Sequence, residues 1–593
     1  MSAAPAGLRL VAVTVALVSS AWMVVAAPGA RAATLSGTFY IDNRAGSACS
    51  DTASGTSPST PWCTFSPANA TSFAAGSQIL LARGDTFHQA LEPSGSGTSS
   101  AWITIGAYGS GNRPVITGSG AASDRTIVLE NPDYWRIQDL ELSDAGEGIY
   151  VNYTTDDHAG LDIERIYAHD IQAVFHGSPA QTDFPAIYNS AAVAVEVGGA
   201  PVPPSGHSVV SDVTISEVEA TRTAAVYLTG TSAGLSYPTA GIKDVDISRI
   251  YAHDSHAPEF AFEPASNLHL TSSYLDCSGH VAEQQGTTCL FLYDIGDSVI
   301  ANNVFVDLND TGNADETAID VEGRSNNLRI SGNYFGSNAG AGIELLQLAG
   351  RPGDYSTNTV IDSNTFYDNG AATGSQHGQI AVANDPGVPS PGGTVSNNVY
   401  ASSSPWGFIS NVGGGPDLSN ITQTNNAGVS TIYDSAYQFS NTQGSNGWRE
   451  QSYNAGADWA DLPTHDATLN RWEGSGGAFV GNFELQPGSG SDQWVSRTWI
   501  APRSGSITIR GQVFEDGTTG DGVHVLIEQN GTAKWPTDPD YLSYRSISPA
   551  DRNGYAADVD LTVNAGDILR FLVRAGATNT GDITSWTPSI TYS

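Results

Sequence analysis

Two acidic residues alternate with apolar ones in the segment TAIDVEGR, residues 317–324. Successive side chains of a β-strand point to opposite faces, so Asp320 and Glu322 should share one face while Ile319 and Val321 share the other. Repulsion between two such carboxylates raises the pKa of one of them. A protonated acid beside an ionised one is what hydrolysis of a glycosidic bond requires.

Neighbouring segments carry further acids near the same register. Glu344 aligns with Asp320 when Ile343 is matched to Ile319, and Glu263 falls close to the register of Glu322. The predicted catalytic residues are Asp320, Glu322, Asp294, Glu344 and Glu263. Two alternatives stay open, an ordinary solvated acidic face and a Ca²⁺ site, because oxygen ligands on adjacent strands suit Ca²⁺.

Histidines form a second candidate group. His169-Asp170 and His253-Asp254 end two nearly identical phrases, DIERIYAHD (162–170) and DISRIYAHD (246–254). A histidine held by an aspartate can act as a base or bind a sugar hydroxyl, although a repeated phrase also fits a structural turn. The predicted substrate-binding residues are Arg324, His253, His256, Tyr293 and Gln347.

Lyase chemistry is an alternative that needs a different set of residues. It requires a base that removes the proton next to a uronate carboxylate, and a cation or donor that neutralises that carboxylate. The candidates are Lys243, Arg249, Arg324, Arg329 and Arg351.

A repeat array must position all of these residues. The phrases LTSSYL, IANNVF, ISGNYF, IDSNTF and VSNNVY begin at residues 270, 300, 330, 361 and 395, at intervals of 30, 30, 31 and 34 residues. Each unit contains short alternating strands and polar turns, and one unit cannot bury its own apolar face, so neighbouring units must stack. This predicts a right-handed parallel β-helix with asparagines stacked at its turns. A propeller needs about 40 or more residues per blade.

The start of the array resembles a known superfamily. The segments FYIDN (39–43), GTSPSTPW (55–62), GSQILLARGD (76–85) and WITIGAYG (102–109) are similar to the opening of secreted pectate-lyase-like polysaccharide lyases and glycoside hydrolases. The resemblance covers about residues 36–425 and implies a parallel β-helix that acts on carbohydrate. The Asn-Thr-Asp, Asp-Asp, Gly-His-Gly and Arg-Ile-Lys set of polygalacturonases is absent, which argues against pectin hydrolysis.

A second domain is predicted at 430–593, after a β-helix at 33–425 and a Gly-rich connector that begins at residue 413. Seven of the twelve tryptophans follow residue 430, and alternating runs such as SITIRGQVF (506–514) predict a β-sandwich. The segments RTWIAP (497–502), GDGV (520–523), AGDI (565–568) and WTPSI (586–590) resemble jelly-roll accessory modules of polysaccharide-degrading enzymes. Their tryptophans either bind sugar rings or form the core.

The N-terminus predicts export. Arg9 precedes an apolar run that ends at Ala27, and Ala30-Arg31-Ala32 supplies a cleavage site, so residues 1–32 are a predicted signal peptide rather than a membrane anchor. The four cysteines agree, because Cys49 with Cys63 and Cys277 with Cys289 would form two local disulfides. A metal site is the alternative, but no C-x-x-C spacing supports it.

Charge limits the partners. The 593-residue chain has a formal net charge of −37 and two lysines, Lys243 and Lys534, so it lacks the basic surface that nucleic acids or anionic membranes require. The sequence therefore predicts a secreted, monomeric, all-β enzyme that hydrolyses polysaccharide, requires no cofactor and admits Ca²⁺. The alternatives are a Ca²⁺-assisted lyase and a non-catalytic glycan-binding surface protein.

Overall fold

A computed structural model describes most of the chain after residue 33. The described residues are 34–171, 190–197, 207–229, 241–280, 286–312, 315–347, 356–372, 377–385, 387–401, 406–412, 418–429, 431–453, 458–467, 469–490, 493–517, 520–537, 544–549, 551 and 554–592. Within these ranges the helical segments are one α-helical turn, Ser66–Asn69, and the 3₁₀ turns Leu418–Asn420, Ser445–Gly447 and Ser475–Gly477; the remaining regular structure is strand.

Ten parallel strands form a sheet that we call sheet A. In spatial order they are Arg125–Glu130, Glu147–Asn152, Ala191–Glu196, Ala224–Thr229, Phe260–Glu263, Thr287–Tyr293, Asp315–Glu322, Ile343–Gln347, Ile380–Asn384 and Ile409–Asn411. Each strand pairs in register with the next one along the chain. Strands on successive coils of a solenoid pair in this way.

Two further parallel sheets complete each coil. Sheet B contains Thr38–Ile41, Gln78–Ala82, Ile103–Tyr108, Ala265–Thr271, Val299–Ala301, Arg329–Ser331, Thr359–Asp362, Gly393–Ser396 and Ile421–Thr424. Sheet C contains Thr86–Phe87, Val115–Thr117, Tyr274–Asp276, Val304–Val306, Tyr334–Gly336, Thr365–Tyr367, Val399–Ala401 and Ala427–Gly428. Four long strands belong to B in their first half and to C in their second: Trp135–Ser143, His158–His169, Val210–Thr221 and Ile242–His253.

The corner between sheets B and C is a single residue in the left-handed region. Arg165, Arg249 and Asn302 occupy it with φ of 55°, 55° and 53°. At Arg165 and Arg249 this residue turns one continuous strand into the next sheet, whereas Asn302 lies in the short break between two strands. Where an arginine fills this position, the corner cannot be predicted from the sequence, because arginine has no preference for the left-handed region.

Stacked side chains hold successive coils in register. The amide of Asn333 donates to Ile300 O at 2.9 Å and to Asn364 Oδ1 at 3.0 Å, and Asn364 repeats the pattern with Asn398. The predicted asparagine ladder is confirmed, and it satisfies buried backbone carbonyls that would otherwise lose hydrogen bonds. Inside the helix, Phe335 stacks between Phe305 and Phe366 with centroid distances of 5.3 and 4.9 Å.

Antiparallel sheets follow the last coil. The first sheet contains Ile432–Asp434, Ser589–Tyr592, Gly505–Arg510 and Val559–Val563. The second contains Trp459–Asp461, Trp448–Tyr453, Trp494–Ile500, Ile568–Ala575, Val523–Gln529, Thr532–Trp535 and Arg545–Ile547. The third contains Thr464–Asp466, Arg471–Glu473, Phe479–Gly481, Glu484–Gln486, Thr584–Trp586, Gln512–Glu515 and Tyr555–Ala556. They share one apolar core, which is separate from the core of the helix. A small parallel sheet of Thr34–Leu35, Ser72–Phe73 and Ser94–Gly95 lies near the N-terminal end.

The C-terminal part, residues 432–592, packs on sheet C. Ser272 contacts Ser585 at 2.6 Å, Asn302 donates to Gln512 O at 3.1 Å, and Thr365 donates to Ser589 at 2.8 Å. The apolar contact is made by Val304, Val306, Tyr334, Ala436 and Phe483. Because these contacts recur from Ser272 to Thr365, the C-terminal part lies along several successive coils of the stack.

The all-β parallel β-helix and both disulfides are confirmed. Cys49 and Cys63 are bonded with their Cα atoms 5.0 Å apart, and Cys277 and Cys289 with theirs 5.9 Å apart. The jelly-roll strand order and the domain limits stay predictions. The predicted signal peptide and residues 413–417 of the connector lie outside the described residues. None of the described helices is long and apolar enough to cross a membrane.

Candidate active site

The strand Asp315–Glu322 presents two acids on the outer surface of sheet A. Ile319 and Val321 are buried in the helix core at 0% and 1% exposure, so the alternate residues Asp320 and Glu322 point outward. The register pairs Asp320 with Glu344 on the next strand, as the sequence predicts. Paired strands lie about 4.8 Å apart. We call Asp320, Glu322 and Glu344 the acid cluster.

A bulge precedes the acid cluster on its own strand. The pairing slips between Thr287 and Thr288, and the opposite residues Asp315 and Glu316 both have left-handed backbones, with φ of 65° and 55°. Glu316 holds the preceding loop by accepting the backbone N–H of Thr311 at 2.6 Å. Bulges re-aim side chains beside active sites, so this irregularity sets the direction of the acids that follow.

Burial raises the pKa of every member of the acid cluster. Glu322 is partly exposed, and burial with repulsion from Asp315, Glu263 and Asp385 raises its pKa to about 8. Asp320 and Glu344 are 3% and 0% exposed. Their pKa values lie well above the ordinary ones, first because of burial and then because of the surrounding carboxylates.

The acid cluster has no basic partner among the described residues. The Arg, Lys and His ion pairs in that part of the chain do not include Asp320, Glu322 or Glu344. The Oδ1 atom of Asp320 and both carboxyl oxygens of Glu344 are buried and accept no hydrogen bond from the described residues. Burial and mutual repulsion therefore favour the protonated forms of these three carboxyl groups.

Two of the other predicted residues share this surface. Glu263 lies in the same column as Glu322, two strands away, with Tyr293 between them. The rings of Tyr293 and Phe291 stack 6.3 Å apart on the strand next to the acid cluster. Arg324 comes two residues after Glu322, at the turn that follows Gly323. Acids and aromatic rings therefore meet on the outer face of sheet A, and Arg324 lies at the turn after the strand.

Asp294 and Gln347 lie away from that outer face. Asp294 is one residue past the register of Tyr293, is buried, and accepts the backbone N–H of Arg324 at 2.9 Å. Gln347 is also buried and accepts the backbone N–H of Ser356 at 2.8 Å. The geometry gives both residues a positioning role at the turns around the acid cluster.

The predicted histidines lie elsewhere. His253 is on sheet C, where its Nδ1 is 2.8 Å from Asp254 and its Nε2 is 4.0 Å from Glu219; these carboxylates raise its pKa. His256 lies close to the fully buried His280, whose pKa falls to about 3 mainly because of burial. Neither histidine contacts a described residue of the acid cluster.

Three of the residues considered for lyase chemistry, Lys243, Arg249 and Arg329, already have polar or acidic partners. Lys243 donates to His207 O at 3.0 Å, and Arg249 lies between Glu217 and Glu484 at 3.4 Å from each. Arg329 is 3.2 Å from Asp362. Arg351 lies outside the described residues.

Two acids that were not predicted from the sequence affect the acid cluster. Asp315 repels all three members, and Asp385 repels Glu322. Asp315 precedes the predicted strand by two residues, where only the bulge brings it near the cluster, so strand alternation alone could not find it. Among the described residues no group of three His, Cys, Asp or Glu side chains has the arrangement of a metal site.

Comparisons with known proteins give distant similarities. No family model matches the chain, and no curated protein matches it. Among solved structures, the GH136 lacto-N-biosidase from Eubacterium ramulus aligns with a TM-score of 0.49 and 14% identity, over 67% of this chain and 68% of that one. An alginate lyase from Paenibacillus sp. str. FPU-7 aligns with a TM-score of 0.28 and 14% identity, over 60% and 93%.

A third similarity is to a family 35 carbohydrate binding module from Clostridium thermocellum, with a TM-score of 0.12 and 18% identity, over 18% of this chain and 82% of that one. These TM-scores are all below 0.5, so the similarities carry no argument. The fold of this chain rests on its own strand register.

Proposed function

We propose that the protein hydrolyses glycosidic bonds in a polysaccharide and that the acid cluster is its catalytic site. One observation carries the proposal: three carboxyl groups point outward at neighbouring positions of one sheet, with raised pKa values and no basic partner among the described residues. Perturbed acids grouped in this way are typical of acid–base catalysis.

Glu322 is the proton donor in this proposal. Its pKa of about 8 keeps it protonated at neutral pH, and it is the member of the cluster that is partly exposed, so it can reach the oxygen of the leaving group. Asp320 and Glu344 lie side by side on paired strands, and the charge of Glu344 helps to raise the pKa of Asp320. When that pair holds a single proton, its ionised carboxylate activates water or attacks the anomeric carbon.

The spacing between the strands relates the roles of the three acids to the stereochemistry of hydrolysis at the anomeric carbon. Residues two apart on a strand lie about 6.5–7 Å apart and paired residues about 4.8 Å apart. An inverting enzyme separates its two carboxyl groups by about 6.5–9.5 Å, and a retaining enzyme by about 5–5.5 Å. Glu322 as the acid with Asp320 as the base therefore suits inversion. Retention would instead require Asp320 and Glu344 to be the acid and nucleophile, with Glu322 not the proton donor, and proton NMR of the first-formed anomer distinguishes the two.

The substrate and setting follow from charge and from the disulfides. A net charge of −37 and the acids on sheet A favour a neutral polysaccharide. Tyr293 and Phe291 offer rings beside the acid cluster, and Arg324 and Glu263 offer groups that bind hydroxyls. We further propose an extracellular monomer that needs no metal, so that a chelator leaves its activity unchanged.

The test compares Asp320→Asn, Glu322→Gln and Glu344→Gln with wild type and with Glu130→Gln. Glu130 lies far along the same outer face and hydrogen-bonds Asn152 at 2.9 Å, which makes it a matched control. On a panel of neutral polysaccharides, new reducing ends should fall about 10²–10⁴-fold in the cluster variants. The control should match wild type.

Two results would overturn the proposal. Unsaturated products that absorb in the ultraviolet and depend on added Ca²⁺ would establish a lyase instead. Retention of a polysaccharide without any new reducing end, unchanged by the three substitutions, would establish a glycan-binding protein.

A further inference from the structure

Exposed tyrosines gather on a surface of the molecule away from sheet A. Tyr251, Tyr367 and Tyr437 are 47%, 41% and 37% exposed. The other large apolar side chains with comparable exposure in the described ranges are Trp406 and Leu469. Single exposed apolar residues are ordinary, but several in one place mark an interaction surface.

The strand register shows that these tyrosines form a line. In one column of sheet C, Tyr251 pairs with Tyr274, Tyr274 pairs with Val304, and Val304 pairs with Tyr334. Tyr367 lies one coil further, opposite Gly336. The line therefore covers four steps between strands, about 19 Å along the helix axis. We call Tyr251, Tyr274, Tyr334, Tyr367 and Tyr437 the tyrosine ridge.

The C-terminal part supplies one ring of the tyrosine ridge. Tyr437 stacks on Tyr334 at a centroid distance of 4.5 Å, and its backbone N–H donates to Asp434 Oδ1 at 2.9 Å. Tyr251 meets Tyr274 edge to face at 5.8 Å and stacks on His253 at 4.4 Å. These contacts fix the rings before any ligand arrives, which reduces the entropy cost of binding.

The groups around the tyrosine ridge are acidic. Asp276 is near Tyr251 and Tyr274, and Asp307 is near Tyr274 and Tyr437. The arginine at the upstream end, Arg222, is held by Asp170 at 2.6 Å. The phenol groups of Tyr251, Tyr367 and Tyr437 make no hydrogen bond with the described residues. Carboxylates and phenols together accept and donate to hydroxyl groups, and the carboxylates repel anions.

We propose that the tyrosine ridge binds a neutral, hydroxyl-rich polysaccharide that runs along the helix axis, separately from the acid cluster. The exposed rings of Tyr251, Tyr367 and Tyr437 and the partly exposed ring of Tyr274 stack on sugar faces, whereas Tyr334 is 5% exposed and supports Tyr437. The acidic rim accepts the hydroxyl groups of the sugars. The ligand must be extended because these rings are spread over about 19 Å, with Val304 rather than a ring at the middle coil. The site crosses from the helix to the C-terminal part, so both parts contribute to binding.

The test measures binding without turnover. Glu322→Gln protein is run through native gels that contain a soluble β-glucan, xylan, mannan or arabinan, and through gels that contain alginate. We expect retardation in at least one neutral gel and none in alginate. In that same protein, Tyr251→Ala with Tyr437→Ala should weaken retardation at least tenfold. Tyr251→Phe, which keeps the ring, should preserve it.

Leu469→Ala is the matched control, since Leu469 is 53% exposed on the C-terminal part, and it should bind like the parent. Circular dichroism and the melting temperature show whether each variant is folded. Retardation in no neutral gel, retardation only in alginate, or equal retardation of the parent and the double variant would overturn the proposal. Loss of hydrolysis does not enter this test, so it can fail or succeed independently of the proposed catalytic site.

Discussion

Sheet A carries buried carboxyl groups at two places, and their surroundings differ. Upstream, Glu147 is 2.6 Å from Arg125, and the Tyr150 phenol donates to Glu196 at 2.7 Å. We call these four residues the paired network. Tyr150 shares a column with Asp320, five strand steps or about 24 Å away. In the acid cluster, no described cation or phenol pairs with a carboxyl group in the way that Arg125 and Tyr150 do.

The difference between the paired network and the acid cluster distinguishes acids that stabilise the fold from acids that are available for proton transfer. Burial raises the pKa of Glu147, but Arg125 opposes the shift through a hydrogen bond and its charge. Every contribution to the pKa of Glu322 raises it. Buried charges are normally paired, because an unpaired one destabilises the fold. The acid cluster keeps its carboxyl groups unpaired despite the loss of stability that this implies. Such an arrangement is expected for groups that transfer protons.

The largest expected effect comes from giving the acid cluster a cation. Leu346 is partly exposed and follows Glu322 in the same column, as the pairing of Val321 with Leu345 requires. Leu346→Arg should lower the pKa of Glu322 and remove its proton at neutral pH, so that hydrolysis falls at least about 10²-fold. The pH of maximal rate should move down. Leu346→Gln is the neutral control, and equal rates for the two variants would contradict the assignment of Glu322 as the acid.

The second effect comes from removing the cation of the paired network. Arg125→Met leaves the 7%-exposed carboxyl group of Glu147 without its partner, which should lower the free energy of unfolding by about 1–3 kcal/mol. Urea denaturation measures this value. Hydrolysis per folded molecule should stay unchanged, because the paired network takes no part in catalysis, and a parallel loss of rate would show that the two places are coupled.

A smaller effect concerns stability and pH. An acid whose pKa is raised in the folded state makes the fold less stable as pH rises from its unfolded value to its folded value. For Glu322 that interval runs from the ordinary 4.5 to about 8. The melting temperature of wild type should therefore fall between pH 5 and pH 8, and Glu322→Gln should reduce that fall. Glu130→Gln should leave the slope as in wild type.

The smallest effect tests the phenol of the paired network. Tyr150→Phe removes the hydrogen bond to Glu196 while keeping the ring that packs against Arg125 at 3.6 Å. We expect a loss of about 0.5–1.5 kcal/mol of unfolding free energy and no change in rate. A loss of rate comparable to that of Leu346→Arg would place the paired network inside the active site.

The fold could be predicted from the sequence because its repeats follow the length of one coil. Asn333 and Asn364 recur at equivalent positions and form the ladder that their spacing predicts. Strand alternation likewise placed Asp320 and Glu322 outward and aligned Glu344. In the C-terminal part, Trp499 and Trp586 are fully buried, and only Trp459 and Trp494 among its seven tryptophans are partly exposed. The core role therefore applies to most of them.

Other parts of the site depended on irregularities that alternation cannot show. Asp294 missed the outer face by one residue because the strand ends at Tyr293. Asp315 approaches the acid cluster through a bulge. His253 lies on sheet C rather than sheet A because it ends the second half of a strand that turns at the left-handed Arg249. A repeat fixes which residues are equivalent, whereas turns and bulges fix which sheet they face.

The contacts of the C-terminal part with Ser272, Asn302 and Thr365 also bear on the order of folding. Chains fold from the N-terminal side during synthesis, so the coils around these residues assemble while their cover has not yet been translated. Their outer face, with Val304, Val306 and Tyr334, then presents apolar surface to water. Each new molecule consequently passes through a stage in which this face exposes apolar surface that can associate with other chains. Arrested translation near residue 430 would therefore produce a protein prone to aggregate.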